Sequence, residues 1–395
     1  MPYDARYARW FAGAIAAVLL ASCAVTPPIA PADLIVIAPR MLDVRSGRYV
    51  RNRMIVIRSG KIDAIHPAAR ERDVVAKDRF VVPRNGILMP GLIDTHVHLA
   101  WNGGQNEDAA RLTLLAGFTT VRNPGASGDA DVVLRDAIEE GRVIGPRMLI
   151  ARTGIGSPGG VCEATFGDAG VATAEEARHR VRKLIGEGAG FIKICTGGGV
   201  VGRPADADKT EMSPETIAAI VDEAHRAGHR VAAHAQGADA IRAAVNAGVD
   251  SIEHGGLIDD DTARLMASKR VPLVPTLARL QDPKVREDTL ARVRRARELG
   301  VPIVFGTDGG VLPHGENAKE FASLLAVGLS PLEAIRSATI DAARLIGWQQ
   351  RVGSIEPGFE ADLVIVSSDV LSGEPIHVSA VIARGQVVRN DFAVQ

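Results

Sequence analysis

Two histidines one residue apart stand out in the segment Asp94-Thr95-His96-Val97-His98, which ends an apolar run. Side chains of a strand alternate between its two faces, so His96 and His98 point to the same side. Two imidazoles on one face suit a divalent cation. Taken alone, the pattern is equally typical of two histidines that bind nothing.

Four later apolar runs also carry an ionisable residue at or near their ends. These residues are Lys193, His234, His254 and Asp308. Each has an ordinary explanation by itself: a salt bridge for the lysine, core packing for the histidines, and a turn or helix cap for the aspartate. A lysine between apolar strand residues is nevertheless costly unless it is paired or modified. Because five separate runs share the feature, we predict that these side chains form one site.

The elements that must position these residues come from the middle of the chain, residues 87–350. Apolar strand-like runs alternate there with helical patterns, which indicates parallel βαβ units. The eight runs are Leu88–Leu99, Thr119–Arg122, Arg147–Ala151, Phe191–Cys195, Val231–Ala235, Ser251–His254, Leu273–Leu277 and Ile303–Thr307. We predict an α/β fold, a (β/α)8 TIM barrel with its functional groups at the carboxyl ends of the strands. An open doubly wound sheet is the alternative, but it gives no reason for polar residues on so many strand ends.

The two ends of the chain have a different texture. Short apolar or β-branched runs separated by turn-forming residues occur in residues 33–86 and again in 351–395. We predict one small β-sandwich built from both termini.

The order His-x-His, Lys, His, His, Asp along successive strands resembles the amidohydrolase superfamily, over about Leu34 to Val388. Further matching segments are Gly117–Arg122, Gly145–Arg147, Val221–His225, Asp250–Gly255, Pro313–Gly315 and Ala361–Leu363. This detail is similar to the branch that contains imidazolonepropionase-like proteins and bacterial Xaa-Pro and Xaa-Arg/Lys dipeptidases.

The resemblance implies a role for each residue of the site. His96, His98 and Asp308 would hold the more buried of two divalent cations, and His234 and His254 the more exposed one. Lys193 would carry a CO2-derived carbamate that bridges both. Zinc is the expected metal because the ligands are imidazole and oxygen without thiolate.

A hydrolytic mechanism follows from these roles. Asp308 would take a proton from a water shared by both ions, and the resulting bridging hydroxide would attack a carbonyl carbon. Asp308 would then pass the proton to the leaving nitrogen. Asp94 would either orient one of the imidazoles or only stabilise its strand. His314, on the loop after strand eight, would contact the substrate or be an ordinary loop residue.

We therefore predict a metal-dependent hydrolase acting on an amide bond of a small substrate, a dipeptide of Xaa-Pro or Xaa-Arg/Lys type or an N-acyl amino acid. A cyclic amide or lactone opened by the same hydroxide is the alternative. A lipoprotein that only binds a ligand is a third reading, but it has no need for Lys193 and Asp308 beside four histidines. Lys and Arg total 46 against 47 Asp and Glu, and this balance gives no charge pattern for nucleic acid.

The amino terminus predicts export. Residues 1–22 have the basic, apolar and small-residue regions of a signal peptide. Their ending, Leu20-Ala21-Ser22-Cys23, resembles a bacterial lipobox, which implies lipidation of Cys23 and outer-membrane anchoring facing the periplasm. An ordinary signal peptide is the alternative. Residues 23–32 are proline-rich and predict a tether. We expect Cys162 and Cys195 to be small buried residues rather than a disulfide pair.

Overall fold

The computed structural model describes residues 29–101, 106–199 and 210–394. The signal peptide and Cys23 lie outside these residues. Its strands are β1 Ile29–Asp43, β2 Arg48–Arg58, β3 Lys61–Pro67, β4 Val74–Val81, β5 Ile87–Pro90, β6 Leu92–Asp94, β7 Phe118–Asn123, β8 Arg147–Ile150, β9 Gly154–Ile155, β10 Ile192–Cys195, β11 Val231–Gly237, β12 Ser251–Leu257, β13 Leu273–Val274, β14 Leu363–Val366, β15 Val378–Ala383 and β16 Gln386–Asn390.

Helices separate the strands of the middle region. They are α1 Asn106–Leu115, α2 Ala130–Glu139, α3 Val161–Phe166, α4 Ala174–Gly186, α5 Pro214–Arg226, α6 Ala238–Ala247, α7 Asp260–Lys269, α8 Pro283–Glu298, α9 Lys319–Ala326, α10 Pro331–Ser337 and α11 Ile340–Leu345. Within the described ranges, no helix is both long enough and apolar enough to cross a lipid bilayer.

The two termini meet in one eight-stranded sheet. Strands β16, β15, β14, β5, β1, β2 and β3 follow one another in it, and β4 pairs with β1. An apolar cluster that includes Leu88, Leu363, Ile365 and Ile382 is buried against it. β1 begins at Ile29, so the last residues of the segment predicted as a tether pair with β4 instead. The shared sheet agrees with the prediction that both termini build one β-structure.

The middle region has parallel strands in two sheets, in the orders β6-β7-β8 and β9-β10-β11-β12-β13. The mixed α/β fold with parallel strands is therefore confirmed. Two runs differ from their predictions. Ile303–Thr307 has no regular strand, although Ile303 forms a parallel bridge with Leu273.

The other difference is at Gly91, where the predicted run Leu88–Leu99 is broken. β5, before the glycine, pairs with β14 in the terminal sheet, whereas β6, after it, pairs with β7. A Cβ on Gly91 would lie 2.0 Å from Thr119 Oγ1, so the chain passes too close to β7 for any side chain. One apolar run thus serves two sheets.

Candidate metal centre

His96, His98 and Asp308 come together because two segments run side by side. The Asp308 amide donates to the His96 carbonyl at 2.7 Å, and the His98 amide donates to the Gly309 carbonyl at 2.6 Å. Asp308 Oδ1 then lies 3.6 Å from His96 Nε2 and 3.4 Å from His98 Nε2. Atoms that each bind one zinc ion at about 2.1 Å are separated by roughly 3–3.5 Å in a tetrahedral site. Both distances to Asp308 are close to that spacing, and ligand atoms of His96, His254 and Asp308 all lie within 4.8 Å of one another.

Hydrogen bonds fix which nitrogen of each imidazole faces the others. His98 Nδ1 lies 3.1 Å from the Gly125 carbonyl oxygen, which can only accept, so Nδ1 carries the proton. His96 Nδ1 lies 2.6 Å from Glu253 Oε2. In both rings Nε2 is left to bind a cation, which is the arrangement that metal-binding histidines use.

Glu253 is itself held by other buried groups. Its Oε1 accepts from Arg122 Nη2 at 2.6 Å and from Ser251 Oγ at 2.5 Å. Arg122 also donates through Nε to the Thr95 carbonyl at 2.6 Å. The orientation of His96 therefore depends on a network that joins three strands.

His234 and His254 lie on the neighbouring strands β11 and β12. Their ring centroids are 4.6 Å apart, and the centroid of His254 is 4.8 Å from that of His96. His254 Nδ1 is 2.8 Å from Thr276 Oγ1. His234 Nε2 is buried and has no hydrogen-bond partner in the described part of the chain. Such an orphaned nitrogen is rare in a folded protein and indicates a missing ligand.

Three residues of this region adopt left-handed backbone conformations that side chains disfavour. The φ angles are 73° for His254, 50° for Thr276 and 59° for Asp308. Each such conformation costs on the order of 1–3 kcal/mol, and these costs concentrate at functional sites. The strain brings strand ends and turns into an arrangement that regular strands do not give.

Lys193, on β10, is 2% exposed. Burial lowers the pKa of its amine to about 8, because removal from water disfavours the charged form. No residue in the described ranges forms a hydrogen bond or ion pair with it. A buried amine with a lowered pKa is neutral often enough near pH 7 to act as a nucleophile towards CO2.

Burial also keeps the four imidazoles neutral. Desolvation is the largest cause that lowers the pKa of His96, His98, His234 and His254, and Lys193 lowers each of them further. The pKa of His234 falls to about 3. Neutral imidazole is the form that binds a cation.

A cavity opens onto these residues, and its wall is partly apolar. The described residues that line it are His96, His98, Trp101, Val161, Thr165, Phe166, Lys193, Cys195, Gly199, His234, Gln236, His254, Arg279, Asp308 and Val311. Trp101 and Phe166 place their rings 4.9 Å and 5.9 Å from that of His98. The six residues predicted as ligands thus share one cavity.

A larger cavity of about 970 Å³ lies at the opposite, amino-terminal ends of the strands. Two of its cations are already engaged: Arg297 pairs with Glu333 at 3.2 Å, and Arg344 pairs with Asp341 at 2.7 Å. It contains none of the predicted ligands. The smaller cavity is therefore the candidate site despite its size.

A disulfide bond closes one side of the site, contrary to our expectation for the two cysteines. Cys162 and Cys195 are bonded, with their Cα atoms 5.7 Å apart. Cys195 ends β10 and Cys162 begins α3, which packs against that strand. A Cβ on Gly154 would lie 2.4 Å from Cys162 Sγ, so the glycine makes room for the bond.

Two other predicted residues lie beside the cavity. Asp94 accepts from the His96 amide at 3.1 Å, from Thr307 Oγ1 at 2.6 Å and from Asn317 Nδ2 at 2.8 Å. It thus holds strand ends together rather than contacting an imidazole. His314 is half-buried beside Thr113, at 3.4 Å, and is not among the described lining residues. Its contact with substrate stays a prediction.

Glu253, Arg279 and the aromatic residue Trp101 also belong to this region and were not predicted from the sequence. Glu253 precedes a predicted ligand, and Arg279 follows the seventh predicted strand by two residues. Position at a strand end was a usable signal for Arg279. For Glu253, alternation along β12 predicts the face opposite to His254, and the left-handed backbone at His254 alters that alternation.

Comparison with known proteins finds one matching family and several similar proteins. The model of the amidohydrolase family matches residues 87–388. An uncharacterized protein of Mycobacterium tuberculosis is 32% identical, over 76% of this chain and 85% of that protein. Ochratoxinase of Aspergillus niger is 28% identical, over 86% of this chain and 82% of its own. The crystal structure of a Xaa-Pro dipeptidase with methionine in its active site gives a TM-score of 0.80 at 30% identity, over 90% of this chain and 100% of that chain.

Proposed function

The chain belongs to the amidohydrolase family, and from this membership we propose that it is a metal-dependent hydrolase that cleaves an amide bond in a small substrate. One observation carries the proposal. Four neutral imidazoles, one amine and one carboxylate from distant parts of the sequence line one cavity, and His234 Nε2 has no partner there among the described residues.

The residues present fit two divalent cations. His96, His98 and Asp308 would hold one, since Asp308 Oδ1 lies 3.6 Å and 3.4 Å from the Nε2 atoms of the two histidines. His234 and His254 would hold the other, which would satisfy the orphaned nitrogen of His234. Lys193 would bridge the two as a carbamate, which removes the cost of a buried amine without a partner. Zinc suits this set of nitrogen and oxygen ligands. Bound there, the ions would supply Lewis acidity towards a carbonyl and a lowered pKa for water.

The protein's own residues would move the proton. Asp308 takes it from the attacking water as the oxygen bonds to the carbonyl carbon, and returns it to the nitrogen as the C–N bond breaks. The products are a carboxylic acid and an amine, so no further reactant is needed. Thr307 and Asn317 hold Asp94, which fixes the strand end that carries His96. The disulfide and Phe166 form part of the cavity wall.

Relatives include an ochratoxinase and a Xaa-Pro dipeptidase, so we propose a dipeptide or an N-acyl amino acid. The same groups would open a cyclic amide or a lactone, and this stays the alternative. A protein that only binds a ligand would leave the strained backbone at Asp308 and the buried Lys193 without a purpose.

The test is metal dependence of amide hydrolysis on protein lacking residues 1–23. We expect about two zinc ions per chain by elemental analysis, loss of hydrolysis with a chelator, and recovery on zinc addition. The substrate panel contains Xaa-Pro and Xaa-Arg dipeptides, N-acyl amino acids, cyclic amides and lactones. Replacement of the exposed Arg292 by Gln is the matched control and should behave as wild type. A protein that purifies without metal and ignores the chelator would contradict the proposal.

Two structural proposals accompany the function. We propose that the two parallel sheets close into a (β/α)8 barrel. In support, the Gly190 amide donates to the Ile150 carbonyl at 2.8 Å between the sheets, and Val97 bridges Gly309. We also propose that the terminal sheet folds over its apolar cluster as a sandwich. A crystal structure with all eight strand positions paired in a ring would meet the first; an open edge would contradict it.

We further propose export and lipid anchoring through Cys23. The disulfide between Cys162 and Cys195 supports an oxidising compartment, since such bonds are rare in a reducing cytosol. Mass spectrometry of the mature amino terminus tests it. A diacylated Cys23 is the expected result, and an unmodified chain cut elsewhere would contradict the anchor.

A further inference from the structure

Arg279 lies in the turn that follows β13, five residues beyond the end of that strand, and lines the cavity. Its side chain is 5% exposed. The only other lysine or arginine among the described lining residues is Lys193, which the proposed function already uses. An almost fully buried guanidinium in a cavity needs anionic partners, since arginine stays charged at any ordinary pH.

The turn that carries Arg279 is held from both sides. Glu320 accepts from the Leu277 amide at 3.0 Å and from the Ala278 amide at 2.6 Å. Arg286 Nη1 donates to the Leu277 carbonyl at 2.9 Å. These bonds involve groups outside the cavity, so the position of the turn does not depend on what the cavity contains. The guanidinium is therefore preorganised.

The guanidinium of Arg279 makes three contacts, and these involve only Nε and Nη2. Nε lies 3.1 Å from Asp308 Oδ2 and 3.0 Å from Thr276 Oγ1, and Nη2 lies 3.3 Å from His254 Nδ1. In the described part of the chain, Nη1 has no hydrogen-bond partner. Among the described residues, Asp308 is the only carboxylate within salt-bridge distance of Arg279. The other buried arginine of this region, Arg122, pairs with Glu253, which is not one of the predicted ligands.

This charge is unbalanced once Asp308 does what the proposed function asks of it. In that role Asp308 binds a cation through Oδ1 and also carries the transferred proton. Its negative charge is then no longer available to Arg279 alone. A guanidinium beside two divalent cations makes the cavity strongly positive, and an anionic substrate group relieves this.

The position of that group follows from bond geometry. The leaving nitrogen must come within hydrogen-bond distance of Asp308, because Asp308 gives it the proton. In an α-amino acid the carboxylate is two bonds from that nitrogen. It therefore falls near Arg279, whose Nε is 3.1 Å from Asp308. The acyl group of the substrate lies on the other side of the scissile C–N bond and points away from Arg279.

We propose that Arg279 binds the α-carboxylate of the amino acid that leaves with the cleaved nitrogen. The inference rests on the proposed function and narrows it: the substrates have a free carboxylate next to the scissile amide. Cyclic amides without such a carboxylate would be poor substrates. Trp101 and Phe166 provide an apolar surface for the rest of the molecule.

The test compares ligands that differ only in this carboxylate. L-phenylalanine and L-phenylalaninamide are titrated into zinc-loaded protein by calorimetry, and N-acetyl-L-phenylalanine and its carboxamide are assayed for hydrolysis. Wild type should favour the carboxylate about 10- to 100-fold, as expected for a charge-assisted hydrogen bond. Arg279→Gln should reduce the preference to about twofold or less. Arg279→Lys should keep part of it, and Arg292→Gln should keep all of it. Zinc content is measured for each variant.

Each outcome bears on the proposal. Wild type without a carboxylate preference in either measurement overturns it, and this result needs no variant to fold. An Arg279→Gln variant that retains zinc and the full preference overturns it as well. If the carboxylate preference depends on Arg279 but no amide is hydrolysed, the inference stands and the hydrolase proposal fails. If an amide is hydrolysed but wild type shows no carboxylate preference, the hydrolase proposal stands and the inference about Arg279 fails.

Discussion

The terminal sheet and the candidate metal centre bury side chains with opposite consequences for stability. In the sheet, Leu363, Ile365 and Ile382 are apolar and fully buried, and each stabilises the fold by leaving water. At the metal centre, Lys193 and four histidines are buried as groups that water would solvate better. The comparison teaches that the sheet contributes stability by itself, whereas the centre costs stability until a ligand completes it.

The largest expected effect is on catalysis at the metal centre. Asp308→Asn removes the group that we propose takes and returns the proton, while an amide oxygen can still bind a cation. We expect kcat/KM for amide hydrolysis to fall about 10⁴-fold while part of the metal remains. Steady-state kinetics and elemental analysis on the same sample measure both. Full activity in this variant would end the assignment of Asp308.

The second prediction concerns the sheet. Leu363→Ala leaves a cavity in its apolar cluster, so the free energy of unfolding should fall by about 2–5 kcal/mol. Activity per folded molecule should change less than about twofold, because β14 holds no residue of the site. Denaturant unfolding and active-site titration give the two numbers. A large loss of activity without a loss of stability would break the division between the two regions.

Lys193→Met should have the reverse effect. The substitution keeps similar volume and removes a buried amine without a partner, so metal-free protein should gain roughly 1–3 kcal/mol of stability. Hydrolysis should be lost, because no carbamate can form. Leu363→Met is a suitable control, since a volume-conserving change in the sheet should cost less than about 1.5 kcal/mol. A destabilised Lys193→Met protein would show that the lysine has a structural role.

The smallest effect is a pH dependence at the same centre. The pKa of His234 is lowered to about 3 in the fold, against about 6.5 in the unfolded chain. Below pH 6.5 the unfolded chain therefore binds a proton that the folded chain refuses, and stability present above pH 6.5 is lost as the pH falls. Between pH 6.5 and 5.5, metal-free wild type should lose about 1 kcal/mol more than His234→Gln. Equal losses would mean that the pKa of His234 is the same in the folded and the unfolded chain.

The sequence predicted which six residues line one cavity, because strand periodicity and strand ends can be read from apolar runs. His96, His98 and Asp308 were predicted together because parallel strands carry their ends to one edge. Other features depend on distances that no single segment contains. The break at Gly91 follows from its close approach to Thr119, and the bond between Cys162 and Cys195 follows from the packing of α3 on β10. Arg279 is a different case. Its position after a predicted strand could be read from the sequence, but its contact with Asp308 could not.

Because of the disulfide, the shape of the site depends on the expression host in which the protein is produced. Cys195 is two residues from Lys193, and Cys162 begins the short helix that carries Phe166. In a reducing cytosol both sulfurs stay as thiols, and that helix is held by packing alone. Two preparations with identical sequences, one from an oxidising and one from a reducing host, would then present differently anchored pocket walls to the same substrate panel.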